Sequence, residues 1–197
     1  MLENRKIKTN KNDFFEGPLI ITPRLFEDDR GYFFESWNQK NFNHLFKKEI
    51  KFVQINQSYS ELNVLRGMHY QINPFAQGKL LKVCYGKIFD VIVDLRRNSK
   101  TFCQWGFVNL DNIKNEQIWI PEGFAHGFLT LCEKVIVQYK LTNYWHKDSE
   151  KSLKWDDPQI NIKWPIKEDK KNNLLISSKD LSANSIQYII KNNLTFK

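Results

Sequence analysis

The chain has 197 residues, a net charge of +8, 41% apolar residues and 26% charged residues. A domain of this length hides about 70% of its unfolded surface, and the composition excludes a disordered chain, a collagen-like chain and a disulfide scaffold. No apolar run reaches the roughly 18–20 residues of a membrane span, and the first fifteen residues lack the apolar stretch of a secretory signal.

Cys84, Cys103 and Cys132 are widely spaced and odd in number, which reads as reduced thiols in a cytoplasmic protein. The basic charge sits at the ends. Residues 1–13 carry four basic and two acidic groups, and residues 163–197 carry seven and three. That distribution reads as solvated surface: a basic extension over 1–16, one domain over 17–181, and a C-terminal helix and tail over 182–197. A nucleic-acid binder sets its basic stripe on a folded face, so neither nucleic acid nor membrane is expected as a partner.

In chain order, Gln39–Phe46 is a short helix candidate. Leu80–Tyr85 and Lys87–Leu95 read as strands joined in a hairpin at Gly86. Phe107–Leu110, Gln117–Ile120 and Gly127–Leu131 are further strands. Val135–Thr142 alternates, with Val135, Val137, Tyr139 and Leu141 on one face. Tyr139 therefore points inward, either as a hydrogen-bonded core tyrosine or as a site residue. Ser182 reads as the cap of a helix reaching Asn192. Many short strands with glycine-bearing turns predict a mainly β protein, a jelly-roll barrel with a few short helices, mostly near the C-terminus.

Among four histidines, His44 and His146 read as surface residues. His69 and His126 stand at glycine-flanked strand ends, where a site is as plausible as a structural role. Pro121-x-Gly123-x-x-His126 is similar to the second short motif of the cupin superfamily. The matching first motif is His69-Tyr70-Gln71, without a second histidine or a suitable glutamate, so no metal is expected. There is no Gly-x-Ser-x-Gly elbow and no glycine-rich loop opening a helix. Histidine, tyrosine, lysine and carboxylates remain, a set suited to proton transfer without a cofactor.

Separated blocks then identify a family. PRLFEDDRGYFFESWN (23–38), FVQINQS (52–58), VLRGMHYQ (64–71), QGKLLKV (77–83), GKIFDVIVDLRRNSKTF (86–102), IWIPEGFAHGFLTL (118–131), QYKLTNYW (138–145) and WDDPQINIKWP (155–165) resemble the dTDP-4-dehydrorhamnose 3,5-epimerases, metal-free members of the cupin fold. The resemblance implies a dTDP-linked 4-keto-6-deoxyhexose as substrate and proton exchange at C3 and C5 through an enolate. It implies His69 as base, Tyr139 as acid on the opposite face and Lys79 beside the C4 oxygen.

By the same resemblance Asp180 orients His69, with Asp90 as the alternative carboxylate, because the lysine-rich stretch Lys167–Leu175 is longer than the family pattern. Arg66, His126 and Lys179 are implied substrate contacts, with Gln54, Asn56 and Ser58 as polar contacts in the cleft. Trp145 stands where the family usually stacks a tyrosine on the base. Arg30, Phe33 and Glu35 are implied to cross a homodimer interface into the neighbour's site. The bland alternative for Arg30 and Glu35 is a surface ion pair.

Overall fold

Apolar residues at every second position put the largest share of the chain into strands. The computed structural model describes residues 2–166 and 173–197, so most of the lysine-rich stretch, 167–172, lies outside the described residues. The first sheet joins β1 (Glu3–Lys8), β2 (Phe14–Thr22), β10 (Gln117–Ile120), β7 (Lys79–Tyr85), β12 (Lys134–Leu141) and β5 (Gln54–Glu61), in that spatial order. The second joins β13 (Glu150–Ser152), β6 (Val64–Gln71), β11 (Phe124–Thr130), β8 (Lys87–Asp94) and β9 (Trp105–Asp111), with β14 (Leu175–Ile176) parallel to β6. A separate hairpin holds β3 (Phe26–Asp28) and β4 (Gly31–Phe33).

The inner faces of the two sheets meet in one apolar cluster. Leu81, Val83, Ile118, Val135 and Val137 come from the first sheet, and Ile88, Ile92, Phe124 and Phe128 from the second. This is the double-sheet solution to edge strands seen in jelly rolls. Alternation gives β8 two uses. Ile88 and Ile92 face the first sheet, while Phe89, Val91 and Val93 face a second cluster with Met68 and Tyr70. Helix α1 (Gln39–Phe46), capped by Asn38, covers the outer face of the first sheet with Phe42 against Leu80 and Trp119.

Three expectations need correction. Gly86 makes no hairpin, because β7 pairs with β10 and β12 while β8 pairs with β9 and β11. A single residue is too short for the two-residue hairpin turn, and Gly86 is the corner where the chain changes sheets. Its φ is +85°, and a Cβ there would lie 2.3 Å from the Lys134 carbonyl oxygen.

The N-terminal extension is not a solvated tail. Residues 3–8 pair with β2, Ile7 and Phe15 are buried, and the boundary expected at residue 16 falls inside β2. Its basic groups are outward residues of a strand whose apolar residues face in. At the other end, Ser182 closes α2 (Ser178–Leu181), while Ser185 caps α3 (Ile186–Lys191). Ile186, Ile189 and Phe196 are buried in the second cluster, so this segment too is part of the fold.

Deleting residues 1–8 is therefore expected to destabilise the protein. Burying one isoleucine contributes about 1.5–3 kcal/mol, the loss of which lowers Tm by at least about 3 °C in a chain of this size. Calorimetry showing an unchanged Tm would contradict the packed strand.

Candidate active site

One cavity of about 340 Å³ opens between the sheets. Asn56 and Ser58 of β5, Lys79 of β7, and Tyr139 and Leu141 of β12 line it from the first sheet. Arg66 and His69 of β6 and His126 and Phe128 of β11 line it from the second, with Trp145 and Glu150 at one side. Registry explains the first group. Tyr139 is paired with Asn56, and Leu141 with Lys79, so these neighbours share a face.

The second group depends on a bulge. Between β11 and β6, His126 pairs with His69 but Phe128 pairs with Arg66, so two residues of β6, Gly67 and Met68, oppose the single Gly127 of β11. Arg66 and His69 are three positions apart and would point to opposite faces of a regular strand. The bulge turns both into the cavity, while Leu65, Met68 and Tyr70 stay in the apolar cluster behind. Gly67 makes this possible. Its φ is +127°, and a Cβ would stand 2.5 Å from the Gly127 Cα and 2.9 Å from the His126 carbonyl oxygen.

His69 Nε2 lies 2.5 Å from Asp180 Oδ1. Asp180 is 2% exposed and its Oδ2 accepts from the Gly67 N–H at 3.2 Å. Burial pushes this carboxyl up, but the His69 hydrogen bond and charge, the Gly67 N–H and Ser177 together hold it below the usual carboxylate range. Asp180, not Asp90, is thus the partner of His69. Asp90 sits on the inner face of β8, wholly buried, with Oδ2 2.8 Å from His126 Nε2. Burial raises its pKa, against His126 and Lys79. Its Oδ1 and the Ser58 Oγ are buried without a hydrogen-bond partner among the described residues.

Lys79 Nζ donates to the His69 carbonyl oxygen at 3.1 Å. Burial pushes its ammonium down to about 8, against the pull of Glu150 and Asp90. Arg66 is steadied by Ser60 Oγ at 3.0 Å and the Tyr59 carbonyl at 3.1 Å. Gln54 stands behind the rim, donating to Asn56 Oδ1 at 2.9 Å and accepting from the Trp145 N–H at 3.1 Å. Lys179, on the same helical turn as Asp180, pairs with Glu150 at 2.5 Å.

Arg30, Phe33 and Glu35 do not reach this cavity. Arg30 pairs with Asp28, not Glu35, and Glu35 accepts from Asn38 and Asn41 at the start of α1. Phe33 is 72% exposed. His44 is exposed as expected, but His146 is half-buried and stacks on Phe75 at 3.8 Å. Sequence reasoning missed Glu150 and Gln77, which line the cavity. Neither lies in a pattern that marks chemistry: Glu150 opens a three-residue strand after a polar loop, and Gln77 precedes β7. Among the described residues, no three His, Cys, Asp or Glu side chains gather as a metal cage.

Because the folded-state pKa of Asp180 is depressed, its contribution to stability is present above its unfolded value of about 4 and lost as pH falls through the folded value. Asp180→Asn is therefore expected to be less stable than the parent at pH 7, with the gap closing in acid. Denaturant titrations at pH 7 and pH 3 measure this, and a gap that does not narrow would contradict the buried ionised pair.

The family model for dTDP-4-dehydrorhamnose 3,5-epimerase matches residues 14–187. The chain is 46% identical over 165 residues to the dTDP-4-dehydrorhamnose 3,5-epimerase of Shigella flexneri, covering 84% of this chain and 88% of that one. It superposes with a TM-score of 0.87 and 39% identity on the dTDP-6-deoxy-D-glucose-3,5-epimerase of Legionella pneumophila in complex with dTDP-4-keto-L-rhamnose, covering 99% and 98% of the two chains. A 3'-monoepimerase from Streptomyces bikiniensis, in complex with dTDP-quinovose, superposes with a TM-score of 0.86 at 28% identity, covering 92% and 90%. With a family model spanning most of its length and relatives this similar, the chain belongs to the dTDP-4-dehydrorhamnose 3,5-epimerase family.

Proposed function

We propose that this protein converts dTDP-4-dehydro-6-deoxy-D-glucose to dTDP-4-dehydro-L-rhamnose, inverting C3 and C5 by proton removal and return. The observation that carries this reading is one cavity lined by His69 from one sheet and Tyr139 from the facing sheet, with Lys79 lining it too. The C3 and C5 protons flank the C4 ketone, so either can leave with its electron pair delocalised onto the C4 oxygen. Inversion needs a base on one face of the ring and an acid on the other.

His69 is the base. The ionised Asp180 accepts from Nε2–H, which leaves the other ring nitrogen with a lone pair for the carbon-bound proton. Tyr139 is the acid, returning a proton from the opposite wall. Lys79 supplies positive charge to the developing enolate oxygen, a kind of stabilisation that removes about 3–4 kcal/mol from other barriers when present. Arg66 and His126 serve the diphosphate and sugar, the guanidinium as a bidentate fork. Trp145 offers its exposed ring to the base, with Gln54, Asn56, Ser58 and Lys179 as polar contacts. The chemistry needs no cofactor.

The active form is a homodimer with shared sites, working in the cytoplasm. Its support is the β3–β4 hairpin, whose Phe26, Tyr32 and Phe33 are each more than half exposed, and whose exposed Arg30 does not line its own cavity. Exposed aromatic clusters of this kind mark interaction surfaces. Each hairpin delivers Arg30 and Phe33 to the neighbour's nucleotide, and Glu35 supports the entry to α1. An epimerase acting at one carbon is the second reading, favoured by the likeness to the 3'-monoepimerase.

Incubation of the dTDP-4-ketosugar in heavy water is expected to label C3 and C5. His69→Asn and Tyr139→Phe should each cut turnover by about 100-fold or more. Label at one carbon alone would establish the second reading, and no label with folded protein would defeat both. The shared site has its own test. Mixing Arg30→Ala chains with His69→Asn chains should restore activity to about a quarter of the parent, since half the dimers are mixed and each holds one intact site. No recovery after exchange of subunits would refute the sharing.

A further inference from the structure

We propose that Glu150 is a positioning residue of the proton-transfer site, the counter-charge that keeps the Lys79 amine protonated while His69 takes up its proton. The proposal rests on the epimerase reading above. Its basis is where the carboxylates stand. Asp180 is taken up by His69 and the Gly67 N–H, and Asp90 by His126. Among the described residues, Glu150 is the carboxylate that lines the cavity itself. The other charged or chargeable groups lining it are Lys79 of β7, Arg66 and His69 of β6, His126 of β11 and Tyr139 of β12, with Lys179 of α2 at the rim.

Proton abstraction adds the His69 imidazolium to a cavity that already holds the Arg66 guanidinium and Lys79, whose amine is bonded to the His69 carbonyl oxygen. Two ammonium-like charges in one cavity drive each other toward the neutral form unless a carboxylate answers them. Glu150 is fixed for that task. Register sets it opposite Gln71 of β6, and it is gripped by Lys179 Nζ and the Trp145 side chain. Burial pushes its carboxyl up, but those two partners and the nearby His69 and Lys179 charges hold it below the usual range, so it is ionised at neutral pH. Among the charges acting on Lys79, Glu150 most opposes the effect of burial, ahead of Asp90, whereas Lys179 acts in the same direction as burial.

The two members of the rim pair therefore act on Lys79 with opposite signs, which a merely structural role would not do. The titration of the Lys79 side chain is read by carbon-13 NMR in the substrate-free enzyme, with the signal assigned by its loss in Lys79→Met. Glu150→Gln is expected to lower the Lys79 midpoint by about 0.5 or more on the pH scale, and Lys179→Gln to raise it. The basic limb of the pH profile for solvent-deuterium exchange should move with the midpoint in each variant. Midpoints that stay put, or that move in the same direction in both variants, would overturn the proposal. Should Glu150→Gln fail to fold, the double variant Glu150→Gln with Lys179→Gln replaces it, and a Lys79 midpoint no lower than that of Lys179→Gln alone would overturn the proposal. Because the titration is read without substrate, a parent enzyme that labels no ketosugar would defeat the reaction and not the counter-charge.

Discussion

The site depends on the contact between two glycines on neighbouring strands. Gly67 of β6 and Gly127 of β11 approach so closely that a Cβ on either would collide with the backbone of the other strand. That approach permits the extra residue in β6, and the extra residue decides which side chains face the cavity. Without it, Arg66 and His69 would lie on opposite faces, and one would be driven into the apolar cluster around Met68 and Tyr70. The same local backbone aims the Gly67 N–H at Asp180. One irregularity in one strand thus sets the direction of His69, part of the hydrogen bonding of its partner Asp180 and the arginine beside it.

The charges follow a related logic. Basic side chains face the cavity while two of three carboxylates stand behind them, each on a histidine. A carboxylate facing an incoming diphosphate would repel it, whereas one placed behind a histidine orients the ring and compensates the charge that forms there. Burial is the largest influence on the Asp180 carboxyl, and the imidazole and a backbone N–H together offset its cost. It is carried there by a segment from the far end of the chain, which is why the C-terminal residues are packed and not loose.

Strand alternation made much of this legible beforehand. Val135, Val137 and Leu141 mark the inner face of β12, and Tyr139 follows from them. The turn glycines announced a β-rich chain. What failed did so for physical reasons. A single glycine between two strands is compatible with a hairpin and with a corner between sheets, and only long-range pairing tells them apart. The basic ends looked solvated because charge was counted without its face: Ile7 stands between Lys6 and Lys8, and it is buried, as are Phe15, Ile186, Ile189 and Phe196 in the same end segments. Two serines three residues apart, Ser182 and Ser185, both suit a helix cap, and packing chose the second. Glu150 was invisible because its importance comes from the strand it pairs with, not from its neighbours in sequence.

On the proposed reaction, the His69–Asp180 pair also dictates how the enzyme resets between inversions. After one inversion His69 holds a proton it took from carbon and Tyr139 lacks one. Because Nε2–H stays bonded to Asp180, the acquired proton sits on the other ring nitrogen. Loss of the Nε2 proton through Asp180 would leave the wrong tautomer, unable to accept again from the substrate side. The acquired proton must therefore return to solvent from the cavity side, and Tyr139 must be recharged there too. That requirement accounts for the polar groups Asn56, Gln77 and Glu150 that line the cavity beside His69 and Tyr139. A dry, sealed pocket would strengthen each electrostatic contact but would hold the enzyme at one inversion, whereas a wet rim lets the same two groups serve both carbons.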